Sequence, residues 1–503
     1  ALSEAGMEVR ILDLVVNPYS QKMLQTLIGD FNPQVAGITA VTMTFDHAIG
    51  VIEDIKRIDP DILTIMGGPH VSFCARETLT AYPQLDVIGL GEGERTIVEL
   101  VRTAHNSHAW AGVKGIVYRK GRQICFTEKR QTIANLDDLP DPDRSLLPLG
   151  RYRALGMPIS LTTSRGCPHK CIFCVGRKMV GARVRYRSAG KIVDEMEYLN
   201  SLNFHQINIA DDLFTANKNH CTAVCDEIIK RGLQLKWTSF ARVDTVSDAV
   251  LVKMKAAGCS AVSFGIESAD PQILKTIKKG ITLKQVEDAV AMCRRAGIMP
   301  FASFILGLPG ETPQTIKETM EFGNRLKKQG LSFGFHLLAP FPGTEVRENS
   351  ERYGIKILTD DWSQYHANRA IVETPSVDHR TLDEIIVKWE QEYDDYLADI
   401  KVRMAENKAS REEIWEIENL ERIVLLYDLM MKNVIEQKGF WSHEGRPVSL
   451  QDNLKILTER ISPSVDTGPE MLFDALHHAL QQENLKCTDL NGNIRWQWVD
   501  FLN

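Results

Sequence analysis

Ser164-Arg165-Gly166-Cys167-Pro168-His169-Lys170-Cys171-Ile172-Phe173-Cys174 puts three cysteines on one short stretch, directly after the apolar run 159–163. A strand that ends in a loop of thiols offers its chemistry at the strand's carboxyl end. Three thiolates can hold three irons of a four-iron cluster and leave the fourth open to a non-protein ligand; a four-cysteine ferredoxin set would close it. Zinc is the competing reading, but it needs a fourth ligand, and His169 between two of the cysteines is poorly placed to share one ion. Cys74, Cys125, Cys221, Cys225, Cys259, Cys293 and Cys487 are scattered. Cys221 and Cys225, four apart on an expected helix, read as buried structural thiols.

Downstream of the cysteines, apolar strand candidates recur at 206–210, 235–240, 261–266, 301–306 and 333–338, separated by helical patterns. With 159–163 they make βα units of the size that builds a full or partial (β/α) barrel, whose chemistry sits at the carboxyl ends of its strands. Upstream, residues 1–105 alternate strand candidates (9–14, 35–41, 62–66, 87–90) with helices such as 45–58. This predicts an α/β, doubly wound (Rossmann-like) parallel sheet. Its strand ends carry Thr39-Ala40-Val41-Thr42, Gly67-Gly68-Pro69-His70 and Gly91-Glu92-Gly93-Glu94, where ligands of such sheets bind. Asp46 next to His47 reads as a helix N-cap. Residues 1–6 read as a helix end capped by Gly6, so the sheet is expected to begin after its first strand.

A hairpin is expected around Lys120-Gly121, then an extended, proline-stiffened linker through Asp137-Asp138-Leu139-Pro140-Asp141-Pro142-Asp143. The expected domains are a sheet domain over 1–135, a linker over 136–152, a barrel over 153–375 and an α-helical C-terminal extension over 376–503. In the last part Trp389, Tyr393, Tyr396, Trp441, Trp496 and Trp498 read as core packing before pocket lining.

The 503 residues are 44% apolar and 25% charged, which excludes collagen-like and largely disordered chains. Fifty-nine Lys and Arg against 66 Asp and Glu leave a net charge of −7, so nucleic acid is not the expected partner. No apolar run is long enough for a membrane span. Ten cysteines in this length suit a reducing, cytoplasmic setting better than a disulfide scaffold.

C-x3-C-x2-C with Phe173 before the last cysteine resembles the radical S-adenosylmethionine superfamily. The resemblance implies that Cys167, Cys171 and Cys174 hold a 4Fe-4S cluster whose open iron chelates S-adenosylmethionine. It further implies, at successive strand ends, cofactor contacts from Phe173, Asp211, Asp212, Ser239, Arg242, Glu267, Ile305, Gly307, His336 and Leu338. Among these, Asp211 or Asp212 would meet the methionine amine, although Ala210-Asp211-Asp212 departs from the family's common Gly-Gly-Glu form. Arg242 would fork to the carboxylate, and Glu267 would accept the ribose hydroxyls. Each has a blander reading: a helix N-cap for the aspartates, a salt bridge for Arg242, an ion pair for Glu267, and a turn with a helix start at Gly310-Glu311-Thr312.

Residues 1–105 resemble the cobalamin-binding domain fused to many such enzymes, which implies corrinoid contacts from Thr39, Val41, Thr42, Gly67, Gly68, Pro69, His70, Gly91, Glu92 and Gly93. The Asp-x-His-x-x-Gly signature of His-ligated cobalamin proteins does not occur in the chain.

The resemblance implies a cobalamin-dependent methyltransferase that moves a methyl group from S-adenosylmethionine, by way of methylcobalamin, to an unactivated carbon after a 5′-deoxyadenosyl radical abstracts hydrogen. A low-potential donor, ferredoxin or flavodoxin, would supply electrons. The alternative is a ring-forming or oxidative member without methyl transfer, such as the anaerobic Mg-protoporphyrin monomethyl ester cyclase of bacteriochlorophyll synthesis. A cobalamin or iron–sulfur sensor without turnover is disfavoured by the full set of cofactor-site matches. Only Cys74 and Cys125 precede the motif, too few for the second cluster of methylthiotransferases. The substrate stays open among small-molecule, lipid, tetrapyrrole and peptide classes.

Overall fold

A computed structural model describes residues 1–442, 449–490 and 492–502. The first sheet has strands β1 (Val35–Thr39), β2 (Leu63–Gly67), β3 (Val87–Gly89), β4 (Ile116–Lys120) and β5 (Gln123–Phe126), in that spatial order. β1 to β3 are parallel, and the β4–β5 hairpin adds antiparallel to β3. Met66 and Ile88 pack against Phe45, Ile49 and Leu79 on one face, while Ile65 and Val87 pack against Leu100 and Trp110 on the other. Strands covered on both faces must be apolar throughout, which is why these read as short continuous runs rather than alternations.

Stretch 9–14 is not a strand. It is irregular chain that leads to Val16, which is buried against Leu425, Leu429 and Trp496 of the C-terminal region. The residue buried here is Val16, past the stretch, while Ile11 is 45% exposed. Gly6 does close a turn, with the Met7 amide donating to the Leu2 carbonyl at 3.1 Å. Asp46 lies inside the first turn of helix Phe45–Ile58, whose N-cap is Thr44.

The second sheet contains β6 (Ile159–Leu161), β9 (Gln206–Ile209), β10 (Lys236–Ala241), β11 (Cys259–Glu267), β12 (Met299–Leu306) and β13 (Ser332–Leu337). Between β6 and β9 lies a small antiparallel ribbon, β7 (Ser164–Arg165) with β8 (Arg185–Tyr186). The six-stranded order is β13-β12-β11-β10-β9-β6, every neighbouring pair parallel. β6 and β13 are its two edges, so the barrel is partial.

Each connection returns through a helix, as parallel pairing requires. The starts are chemically marked. Asn217 caps Lys218–Lys230, and Thr282 with Gln285 and Thr312 with Thr315 form capping boxes on the next two major helices. Cys221, Cys225, Cys259 and Cys293 are fully buried in this helix-side core with Trp237, as structural thiols should be.

The stretch 136–152 is docked rather than free. Arg144 is buried against Glu195 at 2.5 Å, Asp137 accepts from the Ser188 amide at 2.9 Å, and helix Leu149–Ala154 begins within it. The C-terminal part is helical, with His379–Ala405 and Arg411–Met431 the longest helices. It also holds a three-stranded antiparallel sheet of Phe440–Ser442, Leu485–Leu490 and Asn493–Trp498 that the helical reading did not contain. Trp496 and Trp498 are core, and Trp389 packs on Phe333 and Phe335 behind β13, whereas Tyr393 and Tyr396 are exposed.

Candidate active site

The cysteine loop leaves the β6–β7 edge at Gly166. This residue has φ 117°, and a Cβ there would run into the Arg183 carbonyl, so only glycine lets the loop pass so close to β8. The loop is held by the Cys167 amide on the Gly181 carbonyl (3.1 Å) and the Ile172 amide on the Ile277 carbonyl (3.2 Å). Burial pushes all three thiols up; Arg242 opposes this at Cys167, and Lys279 and Arg242 oppose it at Cys171. The thiols also act on one another electrostatically, so they share one site.

Among the described residues, no three His, Cys, Asp or Glu side chains converge as a single ion requires. A four-iron cluster takes one thiolate per iron, so its thiols stand further apart than the ligands of a single ion. Three thiols on one loop suit a cluster that keeps one iron open better than a structural zinc, which takes four protein ligands.

Arg242, just after β10, is buried. Its Nε and Nη2 hold both Asp244 oxygens at 2.9 Å, and its Nη1 is buried with no hydrogen-bond partner among the described residues. The expected salt bridge is thus present, yet it uses only part of the guanidinium. The guanidinium is near enough to Cys167 and Cys171 to act on both, and its spare donor is suited to a ligand carboxylate.

Glu267 ends β11 with φ 73°, buried, and Lys279 donates to it at 2.7 Å. Here too the ion-pair reading and the cavity reading coincide. Glu267 lines a cavity of about 380 Å³ with Phe173, Ile305, His336 and Leu338. Lys279 was not foreseen, because a lysine in Lys278-Lys279-Gly280 carries no mark of burial.

Several expected contacts are placed otherwise. Asp211 is buried under β6 and accepts from the Thr163 amide (2.6 Å), Thr163 Oγ1 (2.5 Å), the Ser164 amide (3.1 Å) and Ser164 Oγ (2.6 Å). Its acceptor capacity is spent inside the protein. Asp212 instead lies against the cysteine loop; a Cβ on Gly176 would meet it at 3.0 Å. Ser239 shares the buried parity of Trp237 and Ala241 and faces the helix layer, while Phe240 takes the cavity side. Gly307 is packed against Leu382, Val372 and Leu338, and its amide donates to Glu311. Burial pushes the Glu311 carboxyl up to about 8.

In the first sheet, Gly67, Gly91 and Gly93 border open space, with nothing near where a side chain would stand. Gly68 has φ 107°, and a Cβ there would lie 2.6 Å from the Ala40 carbonyl, so the chain turns closely under β1. Thr39 and Val41 are exposed beside these glycines, and Pro69 starts the following helix. A flat ligand can approach this glycine edge.

Three other expected corrinoid contacts are occupied. Thr42 Oγ1 is 3.3 Å from Nδ1 of buried His70, and the His70 ring stacks on Phe45 and meets Trp362 edge-on. Glu92 accepts from Arg165 and Arg185 and from the Ile133 amide at 2.8 Å, tying the sheet to the ribbon beside the cysteine loop. Its role is an interdomain anchor.

The chain matches the family model of the radical SAM superfamily over residues 161–323 and that of the B12 binding domain over residues 1–101. It is 35% identical over 361 residues to an uncharacterized methyltransferase of Pyrococcus horikoshii, covering 71% of this chain and 78% of the relative. It is 32% identical over 334 residues to the anaerobic magnesium-protoporphyrin IX monomethyl ester cyclase of Cereibacter sphaeroides, covering 63% of this chain and 54% of that one. In solved structures it resembles the cobalamin-dependent S-adenosylmethionine radical enzyme OxsB, with a TM-score of 0.67 at 17% identity over 95% of this chain and 76% of the other. It also resembles the methyltransferase TsrM of Kitasatospora setae, with a TM-score of 0.62 at 20% identity over 74% of this chain and 81% of the other.

Thiol loop, partial barrel and glycine-edged sheet together define a radical enzyme built around a four-iron cluster, S-adenosylmethionine and cobalamin. The chain belongs to the cobalamin-binding branch of the radical S-adenosylmethionine superfamily. Among the described residues no helix is long and apolar enough to cross a membrane.

Proposed function

We propose that this enzyme methylates an unactivated carbon of a small-molecule substrate and takes its electrons from a low-potential ferredoxin or flavodoxin. The observation that carries the reading is the spare Nη1 of Arg242, whose guanidinium acts on Cys167 and Cys171. When bound, the cluster supplies the electron, S-adenosylmethionine the radical source and the methyl group, and cobalamin the methyl carrier.

Cys167, Cys171 and Cys174 hold the cluster as thiolates. Arg242 donates Nη1 to the methionine carboxylate while Asp244 keeps the guanidinium in place. Asp212, at the mouth and not consumed as Asp211 is, accepts from the methionine amine. Glu267, oriented by Lys279, accepts from the ribose, and Phe173, Ile305, His336 and Leu338 wall the nucleoside away from water. Thr39, Val41, Gly67, Gly68, Gly91 and Gly93 present the corrinoid edge. The relatives support methyl transfer, since methyltransferases outnumber other activities among them.

The test is anaerobic reconstitution with cluster and cobalamin, followed by methyl-deuterated S-adenosylmethionine and candidate substrates. Label in the product supports methyl transfer. Loss of substrate hydrogen without label favours the second reading, cyclisation or oxidation, which the similarity to the Cereibacter sphaeroides cyclase keeps in view.

A further inference from the structure

The inner face of the partial barrel is hollow. In a closed (β/α)8 barrel, layers of branched side chains fill the interior. Here the registered inward positions are mostly small. One layer reads Ser160, Asn208, Thr238, Ala261 and Met299 across five strands, the next Phe240, Ser263, Phe301 and Ser332, and the next Gly265, Ser303 and Gly334. Phe240 (47% exposed), Phe301 (37%) and Met299 (59%) are consequently left open to solvent inside a concave wall. An unfilled apolar surface of this kind marks a ligand site, because covering it is worth about 25 cal/mol per Å².

The lumen has two sides. On the β6–β10 side, Asn208 Nδ2 donates to Ser160 Oγ (3.4 Å) and Thr238 Oγ1 donates to Asn208 Oδ1 (3.1 Å), a ladder of neutral hydrogen-bonding groups. On the β10–β12 side stand Phe240, Phe301 and Met299. Among the described strand residues, the formal charges on this face are Lys236 at the start of β10 and Glu267, which Lys279 neutralises. The lumen is continuous with the nucleoside cavity, whose walls include Phe240, Ser263, Phe301 and Ser303 beside Glu267 and Ile305.

We propose that the part of the substrate entering this lumen is uncharged, with a ring or hydrocarbon face toward Phe240 and Phe301 and amide or hydroxyl groups toward Ser160, Asn208 and Thr238. Phosphate or carboxylate on this part of the substrate is disfavoured, since the strand face offers such a group no free cation beyond Lys236, the spare Nη1 of Arg242 being assigned to S-adenosylmethionine, and desolvating an unpaired anion is costly. The glycine–serine layer of Gly265, Ser303 and Gly334 keeps the passage open between this seat and the nucleoside. The assignment rests on the enzyme reading above and adds the substrate class to it.

The experiment is fluorescence titration of the full chain with neutral N-phenyl-1-naphthylamine, with displacement by 1-naphthaleneacetamide and by 1-naphthaleneacetate. Saturable binding is expected, with Ser303→Trp, which fills the passage, and Phe301→Ser, which removes an apolar wall, each weakening it by about tenfold. With S-adenosylmethionine present to engage Arg242, the acetamide is expected to displace the probe at about tenfold lower concentration than the acetate, for which the strand face offers only Lys236 at the start of β10. Excess S-adenosylmethionine on the reconstituted protein is expected to leave the probe bound. The proposal is overturned if both variants bind as the parent does, if the acetate competes as well as the acetamide, or if S-adenosylmethionine expels the probe. No methyl transfer enters this measurement, so its failure and that of the deuterium-label test are told apart.

Discussion

Glu92 and Arg185 form an ion pair of 2.9 Å with side chains only 6% and 7% exposed, one on the loop after β3 and the other on β8. Arg165, which shares Glu92, lies two residues before Cys167. The glycine edge of the cobalamin sheet and the start of the cysteine loop are thereby fastened to one carboxylate.

Removing one partner of a buried charge pair strands the other, at a cost of about 3–5 kcal/mol. Glu92→Ala is accordingly expected to lower the thermal midpoint clearly and to reduce cobalamin and iron retention together. Burial pushes the Glu92 carboxyl up, but Arg185, the Ile133 amide and Arg165 together hold it below the ordinary value. Its contribution is present above the unfolded glutamate range and lost as pH falls through the lowered folded value. A thermal midpoint and metal content matching the parent's would show the pair to be dispensable.

Lys279→Met leaves Glu267 a buried, unpaired carboxylate. A hydrogen bond to a charged group is worth about 1.5–3 kcal/mol, so affinity for S-adenosylmethionine should fall by about 10- to 100-fold. Equilibrium dialysis on reconstituted protein measures it, with cluster absorbance as the control. Unchanged affinity would mean that the pair serves the fold alone.

Arg242→Lys keeps the charge but loses the fork on Asp244 and the spare Nη1. Arginine and lysine are not equivalent at bidentate sites, and a loss of S-adenosylmethionine affinity of about tenfold or more is expected. The same dialysis decides it; parent-like binding would remove Arg242 from the carboxylate assignment.

Gly166→Ala adds a Cβ where the Arg183 carbonyl stands, at a φ that L residues rarely adopt. Strain of about 1–3 kcal/mol is expected to move the cysteine loop while the core endures. The measured outcome should be reduced iron per chain with nearly unchanged far-ultraviolet circular dichroism.

Burial lowers His70 and His220 from 6.5 to about 4. Between those values the unfolded chain binds more protons than the folded one, so stability falls as pH drops from about 6.5 toward about 4. Thermal midpoints across that window should show the slope, and His70→Phe and His220→Phe should each flatten it. A slope untouched by both changes would assign the acid sensitivity elsewhere.

Local pattern was enough for the cysteine motif, the parallel strands of both sheets except the false candidate at 9–14, and the glycine strand ends. Apolar period and turn chemistry are properties of neighbours along the chain, and a cluster loop needs its thiols close in sequence. Folding alone decided which polar groups remain free. Asp211 and Asp212 look equivalent as residues, yet Asp211 is consumed by Thr163 and Ser164 while Asp212 faces the thiols. Ser239, expected at the cofactor, faces the helix layer, and Phe240 takes the cavity side, because strand parity is set by what packs behind Trp237. Glu92 became an anchor because Arg165 and Arg185 arrive from about 70 and about 90 residues further along the chain. Lys279 became part of the site because its loop docks beside the cysteines. Hydrogen-bond partners and burial are long-range outcomes of the fold, so they were decided only when the two sheets and the helical tail came together.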